Sequence, residues 1–519
     1  MRKRIAGMVM AALQLVVILG LHVQAMGQEP PLRLQTETDT AAGEAYVAQL
    51  DQKAEEMKRR IRGTETAVTV SGTAYYVADD GDDSRDGRTP ESAWATLARV
   101  NRAAFSSGDA VYFKRGDVFR GQLVLHNGVT YSAYGTGEKP RLYGSPENGA
   151  DPAKWTRAFA GTNIWVYETA MLDVGLVVFN EGQEWSTKAI PSYVQGQYVK
   201  RDEPSKPFDI ATDLVRDLQC FSQCDTQIVN GLPAKTAKGK LYLRCDRGNP
   251  GEVFESIEFC TRLNIVEGGS RRNVLVDNLC IRYGGSHGVG AGRVENFTVQ
   301  NCEFGWIGGG IQYYHPVSGR GVRYGNAVEV YSACKGYQVL NNYIYQAYDA
   351  GITHQQATDG KEDFRLEDVV YVGNLVEDCT YSIEYFMGNP DPETCVRMMK
   401  NISIRDNLLR RAGGGFGAQR PYGNQEAHLK GWASSWNQAE NFVIENNILD
   451  RSTDALFQMG AGSAAWLPQL KGNTYVQTLG ALLGYWGVNP PPSFPYDADA
   501  TDTLRQVMKD ETAVVYYVN

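Results

Sequence analysis

The sequence predicts an all-β chain coiled as a parallel β-helix, because two series of short strands recur along it. The first series carries an asparagine between apolar residues at alternate positions. Alternation marks strands, and asparagine tolerates the left-handed backbone of a tight bend. Spacings of roughly 23 to 40 residues suit a coil of three short strands per turn. The repeats are VLVDNLCI at Asn278, FTVQNCEF at Asn301, YQVLNNYIY at Asn341 and Asn342, VVYVGNLV at Asn374, ISIRDNLL at Asn407, FVIENNIL at Asn446 and Asn447, and GNTYV at Asn473.

The second series lies between the asparagines, at the strand that opens each turn. If apolar residues such as Val328, Ile352 and Ile383 point into the core, the next residue on each strand points outward. A polar and aromatic outer face is therefore predicted. Its members are Gln312, Glu329, Thr353, Glu384, Gly417 and Phe457, with Tyr331, Gln355, Phe386 and Gln419 two positions further on.

The composition agrees with a β-rich coil and argues against nucleic acid as a partner. The 519 residues include 55 glycines and 29 tyrosines, and 43% of them are hydrophobic, which is enough for a sizeable core. The formal net charge is −9, and removal of Arg2, Lys3 and Arg4 with a signal peptide changes the balance to 48 − 60 = −12. A chain this acidic is a poor match for a polyanion such as DNA.

The chain is expected to divide into five consecutive segments around one solenoid. The basic start, the apolar run from Met8 to Leu21 and the small residues before Met26 predict a secretory signal peptide. We therefore expect a secreted or periplasmic protein, with no membrane contact after cleavage, that acts as a monomer. The segments are a signal peptide at 1–25, a linker with an amphipathic helix at 26–72, an N-terminal cap with the first turns at 73–262, the repeats at 263–478 and a C-terminal cap at 479–519.

Nine cysteines follow the predicted signal peptide. Cys280, Cys302 and Cys379 lie in apolar strand patterns, where a thiol packs as a small hydrophobic group. Disulfides are an option for the remaining cluster in an oxidising compartment. That cluster comprises Cys220, Cys224, Cys245 and Cys260.

Several stretches resemble secreted bacterial right-handed parallel β-helix proteins of the pectate-lyase-like superfamily, over roughly residues 74–478. They are TAYYVADDGDDSRDGRTPESAWATLARVN from Thr73, VYFKRGDVFRG from Val111, RYGGSHGV from Arg282, CEFGWIGGG from Cys302, RYGNAVEVY from Arg323 and YDAGITHQ from Tyr348. The resemblance implies a right-handed coil and a polysaccharide ligand. It leaves the reaction open, because the superfamily contains lyases, polygalacturonase-type hydrolases and non-enzymatic proteins.

The largest insertions, at 315–325, 356–367, 387–399 and 420–438, are expected to leave the same strand column and to converge on its outer face. If Glu329 and Glu384 are two turns apart, their backbones are separated by about 9.6 Å, at about 4.8 Å per turn. That spacing is near the upper end for the acid and base of an inverting glycosidase. Hydrolysis by paired carboxylates is thus the leading hypothesis.

Further residues complete this hypothesis. Asp349 is an alternative acid, and His354 is a candidate that strict alternation turns inward. Tyrosine and phenylalanine rings stack on the apolar faces of sugars. The predicted substrate-binding set is Gln312, Tyr314, His315, Arg320, Arg323, Tyr331, Gln355, Phe386, Gln419 and Arg420.

A calcium-assisted lyase is the first alternative. Elimination needs a base and a positive group that neutralises the uronate carboxylate. His315, Arg320, Arg323, Arg420, His428 and Lys430 are the candidates for these two roles. In the lyases that the chain resembles, acidic residues on adjacent turns bind calcium, and Glu329, Glu384 and Asp349 are the counterparts here. The calcium-binding aspartates and the arginine motif of pectate lyases are absent, as are the paired-aspartate and Gly-His motifs of polygalacturonases.

A non-catalytic protein that binds glycan or cell-surface material is the second alternative. It predicts an aromatic groove in which no carboxylate or base is positioned for proton transfer. The clustered histidine, arginine and tyrosine residues of the long loops favour an enzyme over a binding protein.

Overall fold

The computed structural model describes residues 39–68, 70–224, 238–356, 362–388, 394–421, 425–431 and 438–519, together with the backbone of the strands Ile228–Val229 and Leu232–Pro233. The predicted signal peptide and residues 26–38 of the linker lie outside the described residues. No helix in the described part is long and apolar enough to span a membrane.

The chain is mostly β and its two main sheets are parallel, as predicted. The repeating unit has a first, a second and a third strand, each paired in parallel with its equivalent in the next turn. The first strands are Leu123–Val124, Val328–Tyr331, Ala350–Gln356, Tyr381–Met387, Ala427–Gly431, Ala455–Ala461 and Leu482–Val488. The second strands are Ala74–Val77, Ala110–Lys114, Thr130–Tyr134, Cys334–Leu340, Phe364–Val372, Arg397–Arg405, Gln438–Glu445 and Gln469–Lys471. The third strands are Val118–Arg120, Arg141–Tyr143, Cys280–Gly284, Glu303–Ile307, Tyr343–Ala347, Leu375–Glu377, Leu408–Ala412, Ile448–Ser452, Thr474–Thr478 and Val514–Val518.

Two long strands, Val266–Asp277 and Val289–Gln300, provide the first and second strands of their turns without a break. Inward side chains at one register position stack from turn to turn, which forms a continuous apolar core. In the second strands this stack comprises Val276, Val299, Val339, Tyr371, Ile404, Ile444 and Leu470.

Buried asparagines form a ladder at the corner between second and third strands. The side-chain amide of each donates to the side-chain oxygen of the next, at 2.9–3.1 Å, through Asn342, Asn374, Asn407, Asn447 and Asn473. Asp510 accepts the last of these bonds at 3.0 Å and ends the ladder. The left-handed backbone predicted for this corner is confirmed at Asn278, Asn301, Asn341 and Asn446. In the turns of Asn374, Asn407 and Asn473 it belongs instead to the preceding residue, which is Gly373, Asp406 or Gly472.

The predicted amphipathic helix is present as Thr40–Arg62, capped by the Asp39 side chain. It lies across the third strands, and its apolar side packs on Tyr343, Leu375, Leu408, Val476, Tyr516 and Val518. Ion pairs fix its orientation, with Arg62 on Glu303 at 2.9 Å and Lys58 on Glu377 at 2.8 Å. At its other end Tyr46 stacks on Tyr516 with ring centroids 4.1 Å apart. The helix therefore holds many successive turns together.

Strands between Trp155 and Arg244 form a separate sheet beside the coil, antiparallel except for the parallel pair Thr187–Lys188 with Gln219–Gln223. The sequence did not reveal it, because alternation does not show the direction of the partner strand. Its strands are Trp155–Arg157, Ile164–Met171, Thr187–Lys188, Gln219–Gln223 and Gly239–Arg244. Ile257–Thr261 pairs with the third strand Cys280–Gly284, and Val174–Phe179 and then Glu184–Trp185 extend the third-strand sheet beyond it. Smaller antiparallel pairs are Ser192–Val194 with Gln197–Val199, Ile228–Val229 with Leu232–Pro233, Gly310–Tyr314 with Gly321–Tyr324, and Leu482–Val488 with Ser493–Pro495.

The remaining helical segments are short. They are Pro90–Ser92, Leu97–Arg102, Pro152–Lys154, Asn180–Gly182, Ile210–Asp213, Pro250–Val253, Phe416–Gln419, Ala464–Trp466, Ala500–Asp502 and Thr503–Val507. The last two lie in the C-terminal segment at 479–519. The final strand, Val514–Val518, extends the third-strand column, so this segment belongs in part to the repeats.

The loops around the first strands differ from the expectation that all leave one side of the column. The hairpin at 310–324 and the segment at 413–426 precede a first strand, whereas the insertions after Gln356 and Met387 follow one. The strand Ala427–Gly431 lies inside the predicted insertion at 420–438. Its sequence, AHLKG, contains a histidine and a lysine, which concealed the strand.

All nine cysteines are buried and none forms a disulfide. The option of disulfides in the cluster from Cys220 to Cys260 is therefore wrong. Burial instead raises the pKa of Cys224 to about 11, so this thiol stays protonated.

We expect Asn407→Ala to lower the free energy of unfolding by about 2–4 kcal/mol. The substitution leaves buried hydrogen-bonding groups in the turns on both sides without a partner. The Asn407 side chain accepts from the Asn374 backbone N–H at 3.0 Å and donates to the Tyr371 carbonyl at 3.0 Å. Urea denaturation measures the change. Asn441→Gly is the control, since it removes an exposed asparagine bond to Asn401 and keeps the left-handed backbone. Equal losses in both variants would contradict a special role for the buried ladder.

Candidate functional site

One outward register position of the first strands forms the candidate face. It contains Glu267, Gly290, Glu329, Thr353, Glu384, Lys430, Gln458 and Tyr485 on consecutive turns. The placement of Glu329, Thr353 and Glu384 on this face is thus as predicted, with one turn between the two glutamates. Lys430 and Gln458 occupy the positions assigned to Gly417 and Phe457.

These two assignments were wrong for identifiable reasons. Gly417 lies in the helical turn Phe416–Gln419, because the GGFGAQ repeat is a loop rather than a strand. Phe457 is fully buried and pairs with Leu429, so the outward position on that strand is one residue later. Gln312 belongs to the hairpin Gly310–Tyr314, outside the first-strand column.

Glu384 is the central acid of the face and is only 7% exposed. Its carboxylate oxygen accepts from the Gln355 side chain at 2.8 Å. Burial, followed by the negative charge of Asp349, raises the pKa of the Glu384 carboxyl from its ordinary value to about 8. The nearby Lys430 and Arg420 oppose this shift without overcoming it. Glu384 is therefore mainly protonated at neutral pH, the state of a general acid.

Glu329 is 9% exposed and has a separate set of partners. The Asn326 side chain donates to its carboxylate, and Nδ1 of His287 lies 3.0 Å from the same oxygen. Asn326 also accepts the Ala350 backbone N–H at 2.8 Å, which fixes it beside the next first strand. Polar contacts thus hold the Glu329 carboxylate in one orientation.

Asp349 lies just before the first strand Ala350–Gln356 and is paired with Arg420 at 2.6 Å. Arg420 follows the helical turn Phe416–Gln419 and also donates to the Tyr381 hydroxyl at 3.3 Å. Its guanidinium lies 5.2 Å from the Tyr348 ring centroid and 5.4 Å from that of Tyr381. Asp349 is therefore a neutralised carboxylate whose charge still influences Glu384.

Lys430 is the basic member of the face, one turn beyond Glu384. Its ammonium donates to the Gln458 side chain and lies 5.3 Å from the Tyr381 ring centroid. Burial lowers the pKa of Lys430 from its ordinary value. Gln458 in turn donates to Asp454 at 3.1 Å, which extends the polar network to the next turn.

Two histidines do not reach the face. His354 is fully buried, its Nδ1 lies 2.8 Å from the Tyr371 hydroxyl, and burial lowers its pKa to about 3. His428 lies in the core with its Nδ1 2.9 Å from the Ser382 hydroxyl, and burial lowers its pKa to about 4. The catalytic candidate His354 therefore lies in the core, as strict alternation implies.

Six of the predicted substrate-binding residues fall into two groups. Gln355, Tyr331 and Phe386 share one register position of the first strands, and Tyr331 is 40% exposed. Gln312, His315 and Arg320 are exposed on the hairpin at 310–324, where the His315 ring accepts backbone N–H groups of its own turn.

Three other predicted residues join parts of the structure. Tyr314 is buried near Tyr193, with ring centroids 5.5 Å apart. The buried Arg323 side chain donates to the carbonyls of Gly309 at 2.7 Å and Gly175 at 2.9 Å. Gln419 donates to the Ser186 carbonyl at 2.8 Å. These contacts connect the hairpin and the 416–419 turn to the segment at 174–193.

Calcium does not fit the acidic residues of the face. Each carboxylate already has a side-chain partner, which is Asn326 for Glu329, Gln355 for Glu384 and Arg420 for Asp349. Within the described ranges, the acidic residues close enough to share an ion are Asp79, Asp80 and Asp117, on the early turns. Glu329, Glu384 and Asp349 are not such a group.

Sequence reasoning missed Asn326, His287 and Tyr381, although all three contact the acidic residues or their partners. Asn326 precedes the strand Val328–Tyr331 by two residues, and His287 precedes Val289 in the same way. Alignment of the repeats would have brought these two positions together. Tyr381 was part of a predicted strand, and no signal in the sequence separated it from packing residues.

No protein-family model matches the chain. No curated protein matches it either.

Among solved structures, the chain is similar to a protein described as a glycoside hydrolase, with 10% identity, a TM-score of 0.43 and coverage of 80% of this chain and 94% of that one. It is similar to a family 28 exopolygalacturonase from Yersinia enterocolitica, with 13% identity, a TM-score of 0.36 and coverage of 79% and 67%. It is also similar to an alginate lyase from Paenibacillus sp., with 12% identity, a TM-score of 0.33 and coverage of 76% and 88%. At these TM-scores the similarity assigns no function to the chain.

Because burial raises the pKa of Glu384, we expect this residue to make the free energy of unfolding depend on pH. Between the ordinary glutamate pKa of 4.5 and about 8, the folded chain retains a proton that the unfolded chain releases, so the free energy of unfolding falls as pH rises. We expect Glu384→Gln to become more stable relative to the wild type across that interval, as measured by Tm. The exposed Glu440→Gln serves as control and should follow the wild type. A difference between Glu384→Gln and the wild type that does not vary with pH would contradict the protonated state.

Proposed function

We propose that this protein is a secreted or periplasmic glycoside hydrolase that cleaves an extracellular polysaccharide on the outer face of a right-handed parallel β-helix. The observation that carries the proposal is the buried Glu384 carboxyl, whose pKa is raised to about 8, on the same face as Glu329 and two turns away from it. The parallel register of all three strand columns supports the coil. The basic and apolar start of the sequence supports export.

Glu384 serves as the general acid in this mechanism. Its proton passes to the glycosidic oxygen as the bond from that oxygen to the anomeric carbon breaks. A pKa near 8 keeps this proton available at neutral pH. The Gln355 amide holds the carboxyl in place and stabilises the carboxylate that remains after transfer.

Glu329 serves as the general base. It takes a proton from a water molecule whose oxygen bonds to the anomeric carbon from the opposite side of the sugar. The backbone spacing of about 9.6 Å for two turns leaves room for that water and favours inversion. The hydrogen bond from the Asn326 side-chain amide orients the carboxylate. Asp349, paired with Arg420, is a positioning residue whose charge raises the pKa of Glu384.

The aromatic residues near the acids support a sugar substrate. Tyr331 is on the Glu329 strand and Phe386 is on the Glu384 strand, at the same register position. An exposed tyrosine ring offers an apolar surface to a pyranose face. A monomer is sufficient for this arrangement, because both proposed catalytic carboxylates come from one chain.

β-Elimination on a uronate is the second candidate, and Lys430 is the observation that favours it. Burial lowers the pKa of its ammonium, which makes it a better base for the proton next to the uronate carboxylate. Arg420 supplies a positive charge nearby. Hydrolysis ranks first because Arg420 is already neutralised by Asp349 and Lys430 is bonded to Gln458.

Glu384→Gln and Glu329→Gln should each lower kcat by a factor of about 10²–10⁴, the contribution typical of a positioned acid or base. The test substrate is the polysaccharide that the wild type cleaves best in a screen of neutral and uronate-containing polymers. New reducing ends measure cleavage, and ultraviolet absorbance of an unsaturated uronate detects elimination.

Glu267→Gln is the matched control for these two variants, since Glu267 occupies the same outward position two turns before Glu329. It should retain wild-type kcat. Full activity in both catalytic variants would refute hydrolysis at this face. Unsaturated products, together with loss of activity in Lys430→Gln, would replace hydrolysis by elimination.

Asp349→Asn should move the alkaline limb of the pH profile of kcat to lower pH. The negative charge at Asp349 raises the pKa of Glu384, so its removal lets the acid lose its proton earlier. Asp454→Asn, which alters the network around Gln458 on the far side of Lys430, is the control and should leave that limb in place. An unchanged limb in Asp349→Asn would contradict the assignment of Glu384 as the acid.

A further inference from the structure

We infer that a basic groove on the second-strand side of the coil binds acidic polysaccharide, at a site separate from the acidic face. The groove has a volume of about 490 Å³ and lies where first strands pass into second strands. Within the described part of the chain its lining includes five cationic side chains. These are Arg271, Arg272, Arg293, Lys335 and Arg365.

The groove has a local charge opposite to that of the whole chain. Glu295 and Glu367 are the acidic residues in its lining, so its formal charge is 5 − 2 = +3, against −9 for the protein. A concave surface with an excess of one sign attracts ligands of the other sign. The ligand class that fits is anionic.

Part of this charge has a structural explanation. Outward residues of the second strands alternate in sign on consecutive turns, through Arg272, Glu295, Lys335, Glu367, Lys400 and Glu440. Opposite charges on neighbouring strands stabilise the pairing register. Within the groove this ladder has equal numbers of positive and negative residues and sums to zero.

The excess therefore comes from the three arginines outside the ladder. Arg271 is held by bonds from its guanidinium to the Leu125 carbonyl at 2.5 Å and the Ser270 carbonyl at 3.0 Å. Arg365 shares Glu367 with Lys335, at distances of 3.4 Å and 4.0 Å, and its side chain is 53% exposed. Arg293 is exposed, and its guanidinium lies 6.0 Å from the Phe364 ring centroid. The pairing of the strands does not require these three charges.

The spacing of the cations favours a linear polymer with widely separated charges. Arg293 and Arg365 directly precede Val294 and Leu366, which occupy the same register position two turns apart. Arg272 and Lys335 are also two turns apart. Both intervals are about 9.6 Å, at about 4.8 Å per turn. Arginine forms bidentate bonds with carboxylate and sulfate groups.

A glycan with one acidic group every few ångströms or more along its length matches this pattern better than DNA. Duplex DNA carries one charge per about 1.7 Å, and so dense a charge is repelled by an acidic protein. The class of ligand is therefore a uronate-containing or sulfated polysaccharide. The groove and the acidic face are different surfaces, so this inference does not depend on the hydrolytic mechanism.

The test is calorimetric titration of the full chain with a polygalacturonate oligosaccharide, a sulfated oligosaccharide and a neutral oligosaccharide of equal length. Each titration uses the Glu384→Gln background so that the ligand stays intact. At least one acidic ligand should bind with an affinity that falls as salt rises, whereas the neutral ligand should not compete for this binding. Arg293→Gln with Arg365→Gln should weaken it at least tenfold.

Lys400→Gln is the matched control, because Lys400 belongs to the same alternating ladder and lies outside the groove lining. It should bind as the background does, and all variants should have the same Tm, since the altered side chains are at the surface. Unchanged affinity in the double arginine variant would overturn the inference and would assign the binding to another surface. Stronger competition by a DNA duplex than by the acidic glycans would overturn it as well.

Discussion

The fixed register between turns is the constraint on which the rest of the structure depends. The corner between the second and third strands fixes the residue at which each third strand starts. Buried asparagine amides at that corner form hydrogen bonds with the turns on either side. An asparagine displaced by one residue would lose its partners and turn the inward side chains outward. Because the register is maintained over so many turns, side chains from distant parts of the sequence form straight columns on the surface.

The columns show how one scaffold produces surfaces of different character. On the second strands, alternating signs neutralise each other and remain in water. On the first strands Glu329 and Glu384 are buried and Arg420 pairs with Asp349, and burial raises the pKa of Glu384 because it disfavours the charged carboxylate. The same spacing between turns therefore gives a solvated ladder in one column and a buried acidic group in the other. The difference arises from burial rather than from the strands themselves.

The sequence was sufficient for features that depend on periodicity. Strand alternation and the asparagine repeats led to the parallel columns and to Glu329 and Glu384 on one face. The amphipathic run rich in Ala, Glu, Gln, Lys and Arg led to the helix Thr40–Arg62. It failed where a strand had unusual residues or a loop imitated a strand. AHLKG has polar residues on a buried strand, whereas GGFGAQ has a strand-like pattern and forms a helical turn. Residues that contact the acids, such as Asn326, can be identified only when it is known which turns are neighbours. The local sequence pattern does not contain that information.

The helix Thr40–Arg62 has a consequence for the order in which the chain acquires its structure. Tyr46 stacks on Tyr516, and the Asn519 backbone N–H donates to the Glu44 side chain at 3.1 Å. A ribosome makes Tyr46 first and Tyr516 last among these contacts, with almost the whole coil between them. Full docking of the helix therefore has to await synthesis of the residues up to Asn519. Until then its apolar side lacks part of its binding surface, so a nascent or truncated chain presents a hydrophobic segment that chaperones can recognise.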